Sequence, residues 1–124
     1  MILLTPEIRE QLLANGRDPA ADHVPVVKLF NPVGAGTWLV AAMDADEDTL
    51  FGLADLGFGC PETGDFSLSE ITSVRLSFGL TIERDILFEG VFPLSVYAEA
   101  AQLSGVIVEG ERLLRKAAAS REGR

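Results

Sequence analysis

Residues 37–59, TWLVAAMDADEDTLFGLADLGFG, decide the fold prediction. The segments TWLVAAMD and LFGLADLGFG are rich in the apolar and aromatic residues that strands favour. The charged ADEDT between them is typical of a hairpin tip. A third strand is predicted just upstream, in VPVVKLFNP, before a turn over 32–36. Three consecutive strands joined by short turns predict an antiparallel sheet, and the glycines at 52 and 57 indicate a bulge or a close backbone approach.

Helices are predicted on either side of these strands. The first begins after the N-cap Thr5 and stops at the Asn-Gly pair 15–16. A capping box over 67–70 opens a short second helix. A further strand is predicted over 83–89, and an alanine-rich helix then runs to Gly105. These elements predict an α+β fold with a small antiparallel sheet of three to five strands and helices packed mainly on one face. Aromatic residues on strands are typical of a core, and the alternative is that they line a pocket. We expect a core position for Trp38, Phe51, Phe58, Phe66 and Tyr97.

The chain of 124 residues has the size of one ordinary domain. We expect a single α+β domain over 1–108 and a basic C-terminal tail over 109–124, either helical or frayed. With 48% hydrophobic residues, wholesale disorder is excluded, and no segment approaches the roughly 20 apolar residues of a membrane span. The N-terminus lacks a basic region and reads as mature structure. The lone Cys60 suits a reducing compartment, so the expected localisation is cytoplasmic.

The net charge of −9 is unevenly distributed. Between Lys28 and Arg75 there is no Lys or Arg, while eight acids lie in the same stretch, giving a local charge of −8. Because nucleic-acid binding depends on cations that neutralise phosphates, direct binding of DNA or RNA by the main body is not expected. The densest acidic run is a candidate interaction surface, and the alternative is a solvated turn. Its members are Asp44, Asp46, Glu47 and Asp48.

The segment 55–65, DLGFGCPETGD, is the candidate binding loop. A phosphate cradle is excluded because Pro61 lacks an N–H and the neighbouring acids repel phosphate. Carboxylates in such a loop suit Mg²⁺ or Ca²⁺, whereas the structural alternative is that they accept hydrogen bonds from turn amides. We predict no cofactor, and the sequence assigns neither a catalytic residue nor a defined metal site. The candidate binding residues are Asp55, Gly57, Gly59, Pro61, Glu62 and Asp65.

Four segments resemble a bacterial family catalogued as domain of unknown function 2958. They are LLTPEIREQLLANG, PVVKLFNP with TWLV, FGLADLGFGCPETGDFSLSEI, and ERDILFEGVFPLSVYAEAA. The resemblance covers nearly everything from Leu3 to about Val108. The resemblance implies an association with plasmids and other mobile elements, and a role in element maintenance or evasion of host defence. It transfers no catalytic residue. The recurrent family pattern falls on Asp55, Leu56, Gly57, Gly59, Pro61, Glu62 and Gly64.

Three hypotheses follow for function. The first is a small non-catalytic interaction module that binds a protein partner, such as a DNA-handling or defence protein, through its acidic half, with DNA mimicry as the sharper form. The second is an enzyme or ligand-binding domain that uses Asp55, Glu62 and Asp65, with or without a divalent cation. The third is a homo-oligomer in which the basic tail pairs with the acidic patch of another copy. No membrane partner is expected.

Overall fold

The computed structural model describes residues 2–122. Within these residues one antiparallel sheet of five strands has the order β4-β3-β2-β1-β5, and the predicted α+β class is confirmed. The strands are β1 (Val27–Phe30), β2 (Thr37–Met43), β3 (Thr49–Asp55), β4 (Glu62–Ser67) and β5 (Glu83–Arg84). The helices are α1 (Pro6–Gly16), α2 (Leu68–Ser73), α3 (Leu94–Ser104) and α4 (Glu111–Glu122), with a 3₁₀ turn at Ser77–Gly79.

The helices cover both faces of the sheet. Helices α1 and α2 pack on the face that carries Val40, and α3 and α4 pack on the face that carries Leu39. Neighbouring residues of β2 thus belong to different cores, because successive side chains of a strand point to opposite faces. The expectation of helices mainly on one face is therefore corrected. The physical reason is visible in LVAAM of β2, whose consecutive apolar positions suit a strand buried on two sides.

The helix ends follow their capping residues. Thr5 Oγ1 accepts a hydrogen bond from the Ile8 amide at 3.2 Å at the start of α1. Ser67 Oγ does the same for the Glu70 amide at 3.2 Å at the start of α2. Helix α3 ends at Gly105, which adopts the left-handed conformation. These predictions are confirmed, whereas the strand predicted over 83–89 is reduced to the two residues of β5.

A β-bulge lies in the middle of the sheet. The register between β2 and β3 shifts between Val40 and Ala42. Opposite Val40 stands Gly52, where a Cβ would lie only 2.0 Å from the Leu39 carbonyl oxygen, so the predicted close approach is confirmed. The extra residue, Ala41, offers its carbonyl oxygen to Asn15 Nδ2 at 2.8 Å, which fastens the end of α1 to the bulge.

Two stretches differ from their predicted form. The third strand ends at Asp55, and a fourth strand begins at Glu62, so only 56–61 forms the loop. The tail over 109–124 is predicted to be either helical or frayed, and its residues 111–122 form α4. This helix packs on α3 and buries Leu114 and Ala117.

The aromatic residues divide into buried and exposed groups. Trp38 and Phe66 pack against one core and Tyr97 is buried in the other. Phe51 and Phe58, in contrast, are 42% and 82% exposed, so their predicted burial is wrong.

Candidate functional site

Asp55 is a buried carboxylate at the end of β3. Its Oδ1 accepts a hydrogen bond from the Gly57 amide at 2.9 Å, and its Oδ2 accepts one from the Ile107 amide at 3.0 Å. The first bond closes the loop and the second ties it to the connection between α3 and α4. Each oxygen is therefore used to hold the backbone, which is the role expected of an Asp that begins a turn.

The glycines of this loop allow its backbone to turn sharply. Gly57 and Gly59 both have positive φ, 89° and 82°, a region that glycine enters without steric cost. At Gly57 a Cβ would also lie 2.5 Å from the Cβ of Ala35. Pro61 is buried directly before β4 begins. The glycine-rich pattern thus encodes a tight turn between two paired strands.

Glu62 and Asp65 both lie in β4 and not in a loop. Glu62 pairs with Ala54, and Asp65 pairs with Phe51. Because the two acids are three residues apart in a strand, their side chains point to opposite faces of the sheet. They do not converge with Asp55 on one ligand position, and within residues 2–122 no group of three or more His, Cys, Asp or Glu is arranged to hold a metal ion.

The acidic run 44–48 forms the turn between β2 and β3 and is organised by its own carboxylates. Asp46 Oδ1 accepts hydrogen bonds from the amides of Asp48 and Thr49, at 2.9 and 2.8 Å, and its Oδ2 accepts one from Thr49 Oγ1 at 2.7 Å. The Thr49 side chain, followed by the backbone amides, lowers the pKa of Asp46. The group therefore stays ionised at neutral pH in a fixed orientation.

Asp48 connects this turn to α2. Its Oδ1 accepts a hydrogen bond from the Ser69 amide at 2.8 Å, and its Oδ2 accepts one from Ser67 Oγ at 2.9 Å. The Ser69 amide, followed by the Ser67 hydroxyl, lowers the pKa of Asp48. The Asp48 carbonyl oxygen also accepts from the Leu68 amide at 2.9 Å. Asp48 is thus both a surface charge and a helix anchor.

The three acids of the candidate binding loop lie at two different ends of the sheet. Asp65 lies near the turn, since it pairs with Phe51, which is two residues beyond Thr49 at the start of β3. Glu62 and Asp55 lie at the opposite end of the same strands. We call the first group the acidic end of the sheet, and its members are Asp44, Asp46, Glu47, Asp48 and Asp65. Its charge is partly balanced by Arg9, whose guanidinium lies 3.5 Å from Glu47.

A pocket of about 220 Å³ opens beside the acidic end. Ala41, Ala42, Phe51 and Leu94 contribute apolar surface, and Asp44 and Asp65 are among the carboxylates at its edge. Neither Lys nor Arg lines it among residues 2–122. Sequence reasoning favours a core position for Phe51 and keeps pocket lining as the alternative, and the structure shows the alternative.

Asp22 is a functional side chain that sequence reasoning also missed. Pro93 at the N-cap of α3 provides no side-chain acceptor, and Asp22 supplies one from the preceding connector. Its Oδ1 accepts a hydrogen bond from the Ser95 amide at 3.1 Å, and its Oδ2 accepts one from Ser95 Oγ. The available signal was a helix start without a capping residue of its own, although nothing local identifies the distant partner.

The sequence as a whole is similar to one known protein family. A family model described as "Protein of unknown function (DUF2958)" matches residues 3–108. The chain belongs to this family. The DUF2958 match includes the sheet, the acidic end and the turn at Asp55, and it ends before α4 begins. Searches of curated proteins and of solved structures each returned no match.

Over residues 2–122, none of the helices combines the length and the apolar character that crossing a bilayer requires.

Proposed function

We propose that this protein is a small non-catalytic interaction module that binds a basic protein surface through the acidic end of its sheet. The supporting observation is the rigid turn over 44–48, in which hydrogen bonds fix the carboxylates of Asp46 and Asp48 and lower the pKa of each. Charges that are already oriented lose little freedom on binding. A field of one sign also steers a partner of the opposite sign and selects against others.

The sharper form of the proposal is DNA mimicry. The partner is then a DNA-handling or defence protein whose basic groove accepts carboxylates in place of phosphates. The stretch without Lys or Arg between Lys28 and Arg75 supports this form, because it contains the whole acidic end. The mobile-element setting that the family resemblance implies also suits it, and the proposal assigns the protein to the cytoplasm.

The carboxylates of the turn differ in how they can be tested. Asp46 and Asp48 hold the backbone, so neutralising them would alter the fold as well as the charge. The Asp44 side chain makes no hydrogen bond or ion pair within residues 2–122, and Glu47 makes one exposed ion pair with Arg9. Exposed ion pairs contribute little to stability. Asp44→Asn/Glu47→Gln is therefore the informative double variant.

The test is competition with a labelled DNA duplex for the arginine-rich protein protamine, followed by fluorescence anisotropy at two salt concentrations. We expect the wild type to displace the duplex, and more strongly at low salt. Asp44→Asn/Glu47→Gln should weaken competition about 5- to 30-fold, since each exposed charge contributes about 0.5–1 kcal/mol.

The control removes the same amount of charge elsewhere. Glu62→Gln/Glu89→Gln neutralises two exposed acids outside the acidic end and should change competition less than about twofold. Equal losses in the two double variants would show that only net charge matters, which contradicts the proposal. Failure of the wild type to compete would contradict it as well.

A further inference from the structure

The pocket beside the acidic end lies over one row of paired residues that crosses three strands. Ala42 of β2 pairs with Phe51 of β3, and Phe51 pairs with Asp65 of β4. Directly paired residues share a face of the sheet, so the Phe51 ring lies between a small side chain and a carboxylate. The small size of Ala42 leaves room beside the ring, which is 42% exposed. The row thus combines an aromatic surface, free space and a negative charge.

The charges around the pocket have one sign. Asp44 and Asp65 lie at its edge, and the side chain of neither makes a hydrogen bond or ion pair with another group in residues 2–122. Asp22 also lies at the edge, but its oxygens are occupied by Ser95. His23 lines the pocket with Nε2 at 2.7 Å from the Asp18 carbonyl oxygen. A cavity with apolar walls and an anionic edge complements a side chain with an apolar stem and a cationic head.

Arginine fits these features better than lysine does. Its planar guanidinium stacks on aromatic rings and pairs with carboxylates through two parallel hydrogen bonds, whereas an ammonium acts as a compact, strongly hydrated charge. Phe51 offers the ring, and Asp44 and Asp65 offer the carboxylates. We propose that the pocket accepts an arginine side chain from a basic segment of the partner protein. This inference rests on the proposed function, and it adds a specific contact to a general attraction.

The direct test is an NMR titration of the ¹⁵N-labelled full chain with N-acetyl-arginine amide. We expect saturable shifts of the backbone amides of Ala42, Phe51 and Asp65. The citrulline analogue, which has the same shape without the charge, should shift these amides at least fivefold less at equal concentration. Equal shifts with citrulline or with the lysine analogue would overturn the assignment to a guanidinium.

Two variants localise the effect. Ala42→Leu fills the space beside Phe51 without changing charge, and Asp65→Asn removes one carboxylate from an exposed position. Each should weaken the arginine-induced shifts at least threefold, and the dispersion of the same spectra reports folding. Glu62→Gln is the matched control, because it lies on the opposite face of the same strand and should leave the shifts unchanged. Unchanged shifts in a folded Ala42→Leu or Asp65→Asn variant would overturn the inference.

The two proposals fail in different ways. If the arginine probe causes no localised shifts while the wild type still competes for protamine and Asp44→Asn/Glu47→Gln competes more weakly as expected, the pocket assignment is wrong and the acidic end remains the interaction surface. If the probe and the competition both fail, both proposals are overturned.

Discussion

Asp55 lies in the glycine-rich pattern that the sequence marks most clearly, and the structure gives it a backbone role. Its buried carboxylate accepts amide hydrogen bonds from Gly57 and from Ile107. If the carboxylate acceptor is removed, a backbone amide is left without a hydrogen-bond partner. The resulting loss of stability is larger than the net contribution of the hydrogen bond itself. The same residue therefore fixes the loop after β3 and the start of the segment that leads to α4.

Replacement of Asp55 tests this role. Asp55→Asn keeps the shape of the side chain but turns one acceptor into an NH₂ group that faces a backbone amide. We expect a loss of about 1–3 kcal/mol in the free energy of unfolding, measured by urea denaturation. Glu62→Gln, exposed in the neighbouring strand, should change stability by less than about 0.5 kcal/mol. A fully stable Asp55→Asn variant would contradict the structural role and reopen the loop as a ligand site.

Only part of the Asp55 site was predictable. The bond to Gly57 connects residues two positions apart, and Asp commonly makes such bonds in turns. The bond to Ile107 joins residues 52 positions apart, and no local pattern encodes it. The hydrogen bond between Asp22 and Ser95 at the start of α3 likewise joins residues that are far apart in the chain. Caps formed within one segment could be predicted from sequence, whereas caps supplied by a distant segment could not.

At the scale of elements, β4 was the strand that sequence did not reveal. Its residues, ETGDFS, lack the alternation of apolar and polar positions that marks a half-buried strand. It is one of the two edge strands of the sheet, and within the described residues it pairs only with β3. Charged and small residues are common at such edges because they discourage pairing with other chains. Backbone pairing with β3 identifies this segment as a strand, whereas its side-chain pattern does not.

The contact between the β2–β3 turn and α2 predicts a pH dependence. Hydrogen bonds from Ser69 and Ser67 lower the pKa of Asp48 below its ordinary value of 3.8. A carboxylate with a lower pKa in the folded state stabilises the fold above the unfolded pKa, and this contribution disappears as pH falls through the folded pKa. Asp48→Asn should therefore reduce the urea midpoint at pH 6, and its difference from the wild type should shrink towards pH 2.

The matched control for this prediction is Asp44→Asn in the same turn. The Asp44 side chain makes no hydrogen bond within the described part of the chain, so its variant should follow the wild type at every pH. A difference between Asp48→Asn and the wild type that stays constant from pH 6 to pH 2 would show that the ionised carboxylate is not the source of the stability.

At the scale of the whole molecule, the sheet is a central layer between two pairs of helices. The apolar positions of β2 and β3 alternate between the two cores, with Val40 in one and Leu39 and Leu53 in the other. Sequence indicated the strands and the α+β class. It did not indicate that α1 and α3 cover opposite faces, because no local pattern fixes the side of the sheet on which a helix packs. Helix α4, with the sequence ERLLRKAAASRE, joins the second core by packing on α3 and has few large apolar residues. The helix instead uses alanine to approach α3 closely.

Helix α4 therefore belongs to the core of the same chain, and this assignment can be tested against packing on another copy. Leu114 is 2% exposed and its neighbour Leu113 is 46% exposed. Leu114→Ala should lower the free energy of unfolding by about 2–5 kcal/mol because it leaves a cavity, whereas Leu113→Ala should change it by about 0.5 kcal/mol or less. Denaturation by guanidinium chloride and sedimentation at one protein concentration would be measured together. If Leu114→Ala changes sedimentation but not the stability of the monomer, α4 packs on a neighbouring copy, and the homo-oligomer becomes the better account of the basic helix.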